Sequence, residues 1–133
     1  MTRNSNVIES FKGLVGNKNV ITNKWGKEPF ITGWRYGKGE ALAVVKPGTL
    51  LEMWQVLKVC VKNDVSVIMQ AANTGLTGGS TPFGNDYDRP VVIINTLRIT
   101  SIHLIKNAEQ IIALPGSSLY DLETKLKPLN KEP

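Results

Sequence analysis

The sequence contains one cysteine and one histidine, Cys60 and His103, among 133 residues. A single cysteine closes no internal disulfide, and one cysteine with one histidine cannot build a zinc site. A long apolar run is also missing. The longest uninterrupted aliphatic stretch is Ala41 to Val45, far short of the ~20 residues that a membrane-spanning helix requires. Residues 1–15 include Arg3, Asn4, Ser5, Asn6, Glu9 and Lys12, which leaves no space for the apolar region of a signal peptide. Metal-centred zinc chemistry, a disulfide framework and a helical membrane span are set aside on these absences. Lysine and arginine are absent between Asp64 and Arg89, and this gap excludes one phosphate-binding motif below.

What is present is an ordinary globular composition, 41% apolar and 20% charged, in a length suited to one domain. Net charge is +5, and residues 1–40 hold most of the excess, with seven Lys/Arg against three Asp/Glu. Trp25, Trp34 and Tyr36 in the same stretch supply rings on which nucleic-acid bases could stack. Lys12, Lys18, Lys24, Lys27, Arg35 and Lys38 are nevertheless scattered singly, the pattern of a solvated basic surface rather than of a phosphate-tracking patch. A small nucleic-acid-binding module is therefore the remote reading, and no nucleic-acid partner is expected.

Local signals divide the chain into a helical and irregular segment, residues 1–40, and a folded unit, residues 41–133. Asn6 with Glu9 reads as a helix start, Val7, Ile8, Phe11, Leu14 and Val15 fall at helical spacing, and Gly16 closes it. Gly26, Pro29, Gly33, Gly37 and Gly39 predict a short helical piece within irregular chain. Ala41 to Val45 reads as a strand, and Thr49 with Glu52 as a capping box ahead of a helix reaching Lys62. Val65–Met69, Val91–Asn95, Ser101–Ile105 and Gln110–Leu114 read as strands, the last two forming a hairpin around Lys106-Asn107-Ala108. Ser118 caps a final helix with acidic residues early and lysines late, as the helix dipole prefers. This order predicts an α+β fold with a mixed sheet, not the regular alternation of a dinucleotide-binding Rossmann unit.

Between the second and third of these strands, residues 70–90 form a loop of a length that is uncommon in a compact domain and usually functional. Gln70-Ala71-Ala72-Asn73-Thr74-Gly75-Leu76-Thr77-Gly78-Gly79-Ser80-Thr81-Pro82 leaves the carboxyl end of a strand, where open sheets of this kind bind ligands. Its glycines let a ligand approach the backbone without meeting a Cβ. Consecutive peptide N–H groups in such a turn can converge on an anion, and a pyrophosphate fits. Thr74, Thr77, Ser80 and Thr81 add hydroxyl donors, and Asn73 can donate or brace the loop. The absence of lysine rules out a Walker A loop, and the spacing Gly75, Gly78, Gly79 is not the Gly-x-Gly-x-x-Gly fingerprint. The competing reading is a Gly/Thr-rich connection that merely turns the chain.

Thr74-Gly75-Leu76-Thr77-Gly78-Gly79 resembles the Gly-Thr-Gly-Leu-Ser/Thr-Gly-Gly loop of the p-cresol methylhydroxylase/vanillyl-alcohol oxidase flavoproteins. In that family the loop wraps the FAD pyrophosphate. Ala43-Val44-Val45-Lys46-Pro47-Gly48 and Ala113-Leu114-Pro115-Gly116-Ser117-Ser118-Leu119 are similar to two further family turns. Gly84-Asn85-Asp86-Tyr87-Asp88-Arg89, with residues 41–45 and 69–77, is similar to the branch that oxidises D-lactate with quinone as acceptor. The resemblance implies a mixed-sheet FAD-binding domain and non-covalent FAD, since the loop has no histidine for a covalent link. Carried over by position, Ala71, Ala72, Asn73, Thr74, Gly75, Gly79 and Ser80 are the implied FAD contacts. The wider family commonly has Arg-Gly-Gly or Arg-Gly-Ala where this chain has Gln70-Ala71-Ala72-Asn73, which removes a cation and some backbone freedom.

The chemistry the resemblance implies is removal of the C2 hydrogen of D-lactate as a hydride to the flavin, giving pyruvate, with electrons then passing to membrane quinone. Glycolate or D-2-hydroxyglutarate as substrate is the alternative. Family members continue well beyond the counterpart of Pro133, so the chain is expected to be the amino-terminal portion of an FAD-binding domain. No catalytic residue is expected within it, FAD affinity of these residues alone should be weak, and the membrane-binding region should lie elsewhere. The implied setting is peripheral, on the cytoplasmic face of the inner membrane. His103, alone on a strand, is expected to be structural.

Overall fold

The computed structural model describes residues 2–133. Helix α1 (Arg3–Val15) begins a turn earlier than its apolar spacing predicts, because the Thr2 hydroxyl accepts from Ser5 N at 3.2 Å and so satisfies a first-turn donor. Val7, Phe11 and Val15 form its buried stripe, and Gly16, at φ 85°, donates back to Lys12 O at 2.9 Å. A 3₁₀ turn (Asn17–Asn19) leads into the two-residue strand β1 (Val20–Ile21). The short helix predicted within residues 17–40 is α2 (Lys24–Ile31), with Asn23 as its cap.

Strand β2 (Ala43–Val45), helix α3 (Leu50–Lys62) and strand β3 (Ser66–Gln70) follow. The expected capping box of α3 is half formed. Thr49 accepts from Glu52 N at 3.0 Å, but the Glu52 carboxylate accepts from Gly48 N at 2.6 Å, one residue further back than the motif requires. Strand β4 (Val91–Asn95) falls where the sequence places it, as do strands β5 (Ile102–Ile105) and β6 (Gln110–Ala113) to within a residue. Helix α4 (Leu119–Leu126) carries a complete capping box between Ser118 and Asp121. The bonds from Ser118 hold the Asp121 carboxyl below the usual carboxylate range.

The main sheet has the order β1-β2-β4-β3, with β2, β4 and β3 parallel and β1 antiparallel at the edge. The predicted mixed sheet and α+β class are therefore correct. Alternation along the strands separates two faces. Ala43, Val45, Val92 and Ile94 meet α1 and α3 through Val7, Phe11, Val56 and Cys60. Val44 and Ile93 face the other way, against Ile31, Ala41 and Phe30. Burial on both faces explains why Val91-Val92-Ile93-Ile94 is continuously apolar. Helix α1 and strand β1 thus share one core with the strands of residues 43–95. The β5–β6 hairpin forms a separate two-stranded sheet, turned by Lys106, Asn107 and Ala108 at positive φ.

Strands β3 and β4 are parallel neighbours joined by residues 71–90, which contain no helix. Parallel neighbours are usually joined through a helix. Here the connecting element is the glycine-rich loop itself.

Candidate cofactor-binding loop

Gln70 and Asn95 end β3 and β4 opposite one another in register, at the carboxyl edge of the parallel strands. Both are buried, Gln70 to 2% and Asn95 to 1% relative exposure, so each carboxamide must find its partners inside the protein. Gln70 Nε2 donates to Phe30 O and to Ser80 O, each at 2.8 Å, and Gln70 Oε1 accepts from Asn95 Nδ2 at 3.1 Å. Asn95 Nδ2 also donates to Ala71 O at 3.0 Å, and its Oδ1 accepts from Leu97 N at 3.2 Å. The first and last peptides of the 71–80 segment are thereby fixed to the sheet.

Within the segment Asn73 takes a left-handed conformation, φ 56°, which asparagine tolerates better than most residues. Its Nδ2 donates to Thr32 O at 2.9 Å and Pro29 O at 3.3 Å, and its Oδ1 accepts from Ser80 Oγ at 2.8 Å. Asn73 therefore braces the loop, and the Ser80 hydroxyl is committed to it. Thr81 and Pro82 are buried beneath, with Thr81 N donating to Gly78 O at 3.4 Å. Gly78 has φ 75° and lies against the backbone of Tyr36 and Gly37. Gly37 itself, at φ 90°, abuts Thr81 so closely that a Cβ there would collide with the threonine hydroxyl.

The opposite side of the loop is open. Ala71, Ala72, Thr74, Gly75, Thr77 and Gly79 are exposed, while Asn73, Gly78 and Ser80 are half-buried. A Cβ added at Gly75 or Gly79 would meet nothing closer than 3.9 Å. None of the peptide N–H groups of residues 72–80 has an acceptor among the described residues. A run of unpaired N–H groups on a braced backbone is a donor set suited to a diphosphate. No cation assists from residues 65–88, and Lys38 nearby is held by Glu28 at 2.7 Å, which lowers the Glu28 carboxyl from its usual range.

The seven residues singled out from the sequence, Ala71, Ala72, Asn73, Thr74, Gly75, Gly79 and Ser80, thus lie on one short loop. Sequence reasoning missed the framework behind it: Gln70, Asn95 and the strap 29–39. A buried amide at the end of an apolar strand was the available signal for the first two. The Pro115-Gly116 turn also reaches this edge of the sheet. Thr96 Oγ1 donates to Pro115 O and Gln70 O, each at 3.3 Å, and Gly116 N donates to Ile99 O at 2.9 Å. Arg98 Nη1 donates to Lys46 O at 2.5 Å beside the Pro47-Gly48 turn. His103 is exposed on the β5–β6 hairpin, bonded to Ser101 Oγ at 2.8 Å. Two surface hollows, one bordered by Tyr120, Lys127 and Asn130 and the other by Lys27, Asn85 and Arg89, do not include residues 71–80.

Comparison with known proteins gives a consistent picture. The chain is 58% identical over 127 residues to the quinone-dependent D-lactate dehydrogenase of Haemophilus influenzae, covering 96% of this chain and 22% of that protein. Identity to the quinone-dependent D-lactate dehydrogenase of Escherichia coli is 52% over 132 residues, or 99% of this chain and 23% of that protein. A mitochondrial D-2-hydroxyglutarate dehydrogenase of Arabidopsis thaliana is more distant, at 32% over 91 residues, 68% of this chain and 16% of that protein. The chain spans less than a quarter of the length of these relatives. Its fold matches substrate-bound p-cresol methylhydroxylase with a TM-score of 0.77 at 16% identity, over 96% of this chain and 25% of that one. The sequence profile of the FAD binding domain family matches residues 41–131, which include β2, the open loop and the Pro115-Gly116 turn. With its parallel strands, its unpaired loop amides and most of its length within that match, the chain belongs to the FAD binding domain family.

Proposed function

We propose that residues 71–80 bind the diphosphate of FAD without a covalent link, and that the chain contributes this part of the flavin site to an enzyme oxidising D-lactate to pyruvate. The observation that carries the reading is the row of unpaired N–H groups at 72–80 on a loop whose other face is tied to the sheet. Ala71, Ala72, Thr74, Gly75 and Gly79 supply backbone approach, and Asn73 and Ser80 contribute through their peptide groups because their side chains hold each other. The bound flavin supplies the two-electron acceptor. The residues here hold its diphosphate and set its position. None is assigned proton transfer.

D-lactate is favoured as substrate by the identity to the two bacterial D-lactate dehydrogenases. Quinone as electron acceptor is supported by the same relatives. A peripheral place on the cytoplasmic face of the inner membrane, through regions outside this chain, is part of the proposal and rests on the family resemblance alone. Among the described residues no helix is long and apolar enough to cross a membrane. Another 2-hydroxy acid is the second reading, favoured by the 32% identity to D-2-hydroxyglutarate dehydrogenase. Anaerobic bleaching of flavin absorbance in the full-length protein, with D-lactate, L-lactate, glycolate and D-2-hydroxyglutarate in parallel, separates them. Bleaching fastest with D-lactate is expected. Preference for another acid would replace the substrate, and a protein without flavin would remove the reading.

A further inference from the structure

The strap formed by the carboxyl end of α2 and residues 32–39 lies outside the matched FAD-binding region, 41–131, yet it is bonded to the loop at several points. A helix end leaves its last carbonyls without intrahelical partners. At the end of α2 these carbonyls are taken up by two side-chain amides of the loop framework: Phe30 O by Gln70 Nε2, and Pro29 O and Thr32 O by Asn73 Nδ2. Beyond the helix the strap folds on itself, with Gly33 N donating to Gly37 O at 2.7 Å and Gly39 N to Ile31 O at 3.2 Å. It then pairs with the far side of the same loop. Gly84 N donates to Lys38 O and Glu40 N donates to Gly84 O, both at 2.9 Å.

The same two amides close the loop. Gln70 bridges ten residues to Ser80 O, and Asn73 receives the Ser80 hydroxyl. Each therefore makes one set of bonds across the loop and another to α2. With both in place, every polar atom of the Gln70 side chain and of the Asn73 side chain is engaged within the protein. Neither side chain has a donor left for a ligand. Their effect on a ligand runs through the backbone they hold.

We propose that Gln70 and Asn73 are positioning residues that fasten the 71–80 backbone to α2 and its strap, so that the N–H groups are set for a diphosphate before it arrives. The proposal rests on the FAD reading above for the identity of the ligand. Pre-setting the donors removes an ordering cost that a free loop would incur on binding. It also makes residues 29–39 part of the cofactor site, although they need not touch the cofactor.

The test uses Asn73→Asp and Gln70→Glu in the full-length protein. Aspartate tolerates the left-handed conformation as asparagine does, so Asn73→Asp removes the donors to Pro29 O and Thr32 O without changing the backbone preference. Gln70→Glu does the same at the buried site, and the half-buried Asn73 position keeps the test available where the buried variant fails to fold. Two quantities are read: the FAD dissociation constant of the apoprotein, and hydrogen exchange in ligand-free protein over Gly33, Gly39, Glu40 and Gly84. Expected are an FAD affinity lower by about tenfold or more, since the two donations that fasten the loop backbone to the strap are lost, and faster exchange in the strap. Exchange in β4 and the melting temperature of the ligand-free protein should stay at wild-type values for Asn73→Asp. Wild-type FAD affinity together with unchanged strap exchange in Asn73→Asp would overturn the proposal. A wild-type protein that takes up no FAD would instead overturn the ligand reading, while the exchange measurement still decides whether the two amides hold the strap.

Discussion

Gly78 and Gly79 are adjacent, the first half-buried and the second exposed, and are built for different reasons, so the same substitution at each should fail differently. Gly78 sits at φ 75° with a notional Cβ 3.5 Å from Tyr36 O, whereas Gly79 has no left-handed φ and would place its Cβ 3.9 Å from Thr77 Oγ1. Forcing an L-residue into the left-handed region costs about 1–2 kcal/mol. Gly78→Val should therefore lower the melting temperature of ligand-free protein by roughly 4–8 °C, the shift such a cost produces in a domain of this size. Gly79→Val should leave that temperature nearly unchanged, because an unstrained surface substitution is worth within about 0.5 kcal/mol. Its branched side chain instead adds bulk on the open side of the loop, where the proposed diphosphate would sit. A loss of even one or two diphosphate bonds, at about 1.5–3 kcal/mol for bonds to a charged group, weakens FAD by at least about tenfold. Differential scanning fluorimetry of apoprotein and fluorescence titration with FAD measure the two effects separately. Equal thermal destabilisation by both variants, or wild-type FAD affinity in Gly79→Val, would refute this account of the loop.

Three further predictions follow from the fold around it. Phe11 is fully buried between α1 and the sheet, so Phe11→Ala should destabilise by about 3–5 kcal/mol in urea unfolding, and a change under 1 kcal/mol would misplace α1. Gly116→Ala would set a Cβ about 2.9 Å from Ile99 O and closer still to Thr96 O, both backbone atoms. It should cost about 1–3 kcal/mol and weaken flavin retention, since Thr96 is bonded to Gln70. The buried Cys60 thiol is pushed up to about 11 from 9.0 by desolvation. Between those values the unfolded chain releases its proton while the folded chain keeps it, so stability falls as pH rises through this window. Cys60→Ala should flatten that slope in urea unfolding measured from pH 8 to pH 11, and an undiminished slope would assign it to another group.

The elements most legible in the sequence are those whose signals are local. Ser118 and Asp121 announce α4, Thr49 announces α3, and the β-branched run 91–94 announces a strand buried on both faces. The start of α1 was misplaced because Asn6 is as good a capping residue as Thr2, and only the fold selects between them. Strand β1 is two residues long and has no periodicity to detect; its existence depends on pairing with β2. The glycine and hydroxyl content that supports the proposed anion-binding role of residues 71–80 is visible in the sequence, and the family was readable from the Thr74–Gly79 motif. The framework behind the loop was not readable. The bonds from Gln70 and Asn73 to α2 span about forty residues, and such pairings leave no local pattern. The same bonds turn Asn73 and the Ser80 hydroxyl away from a direct side-chain role.

The central claim, that unpaired amides at 72–80 hold a diphosphate of FAD, is tested most directly by reconstitution of flavin-free full-length protein. Titration with FAD, with riboflavin and with ADP distinguishes the diphosphate from the ring that it carries. Saturable uptake of one FAD per chain, displaced by excess ADP and not matched by riboflavin, is the predicted result. No uptake of FAD, or uptake of riboflavin as tight as that of FAD, would contradict the assignment of this loop.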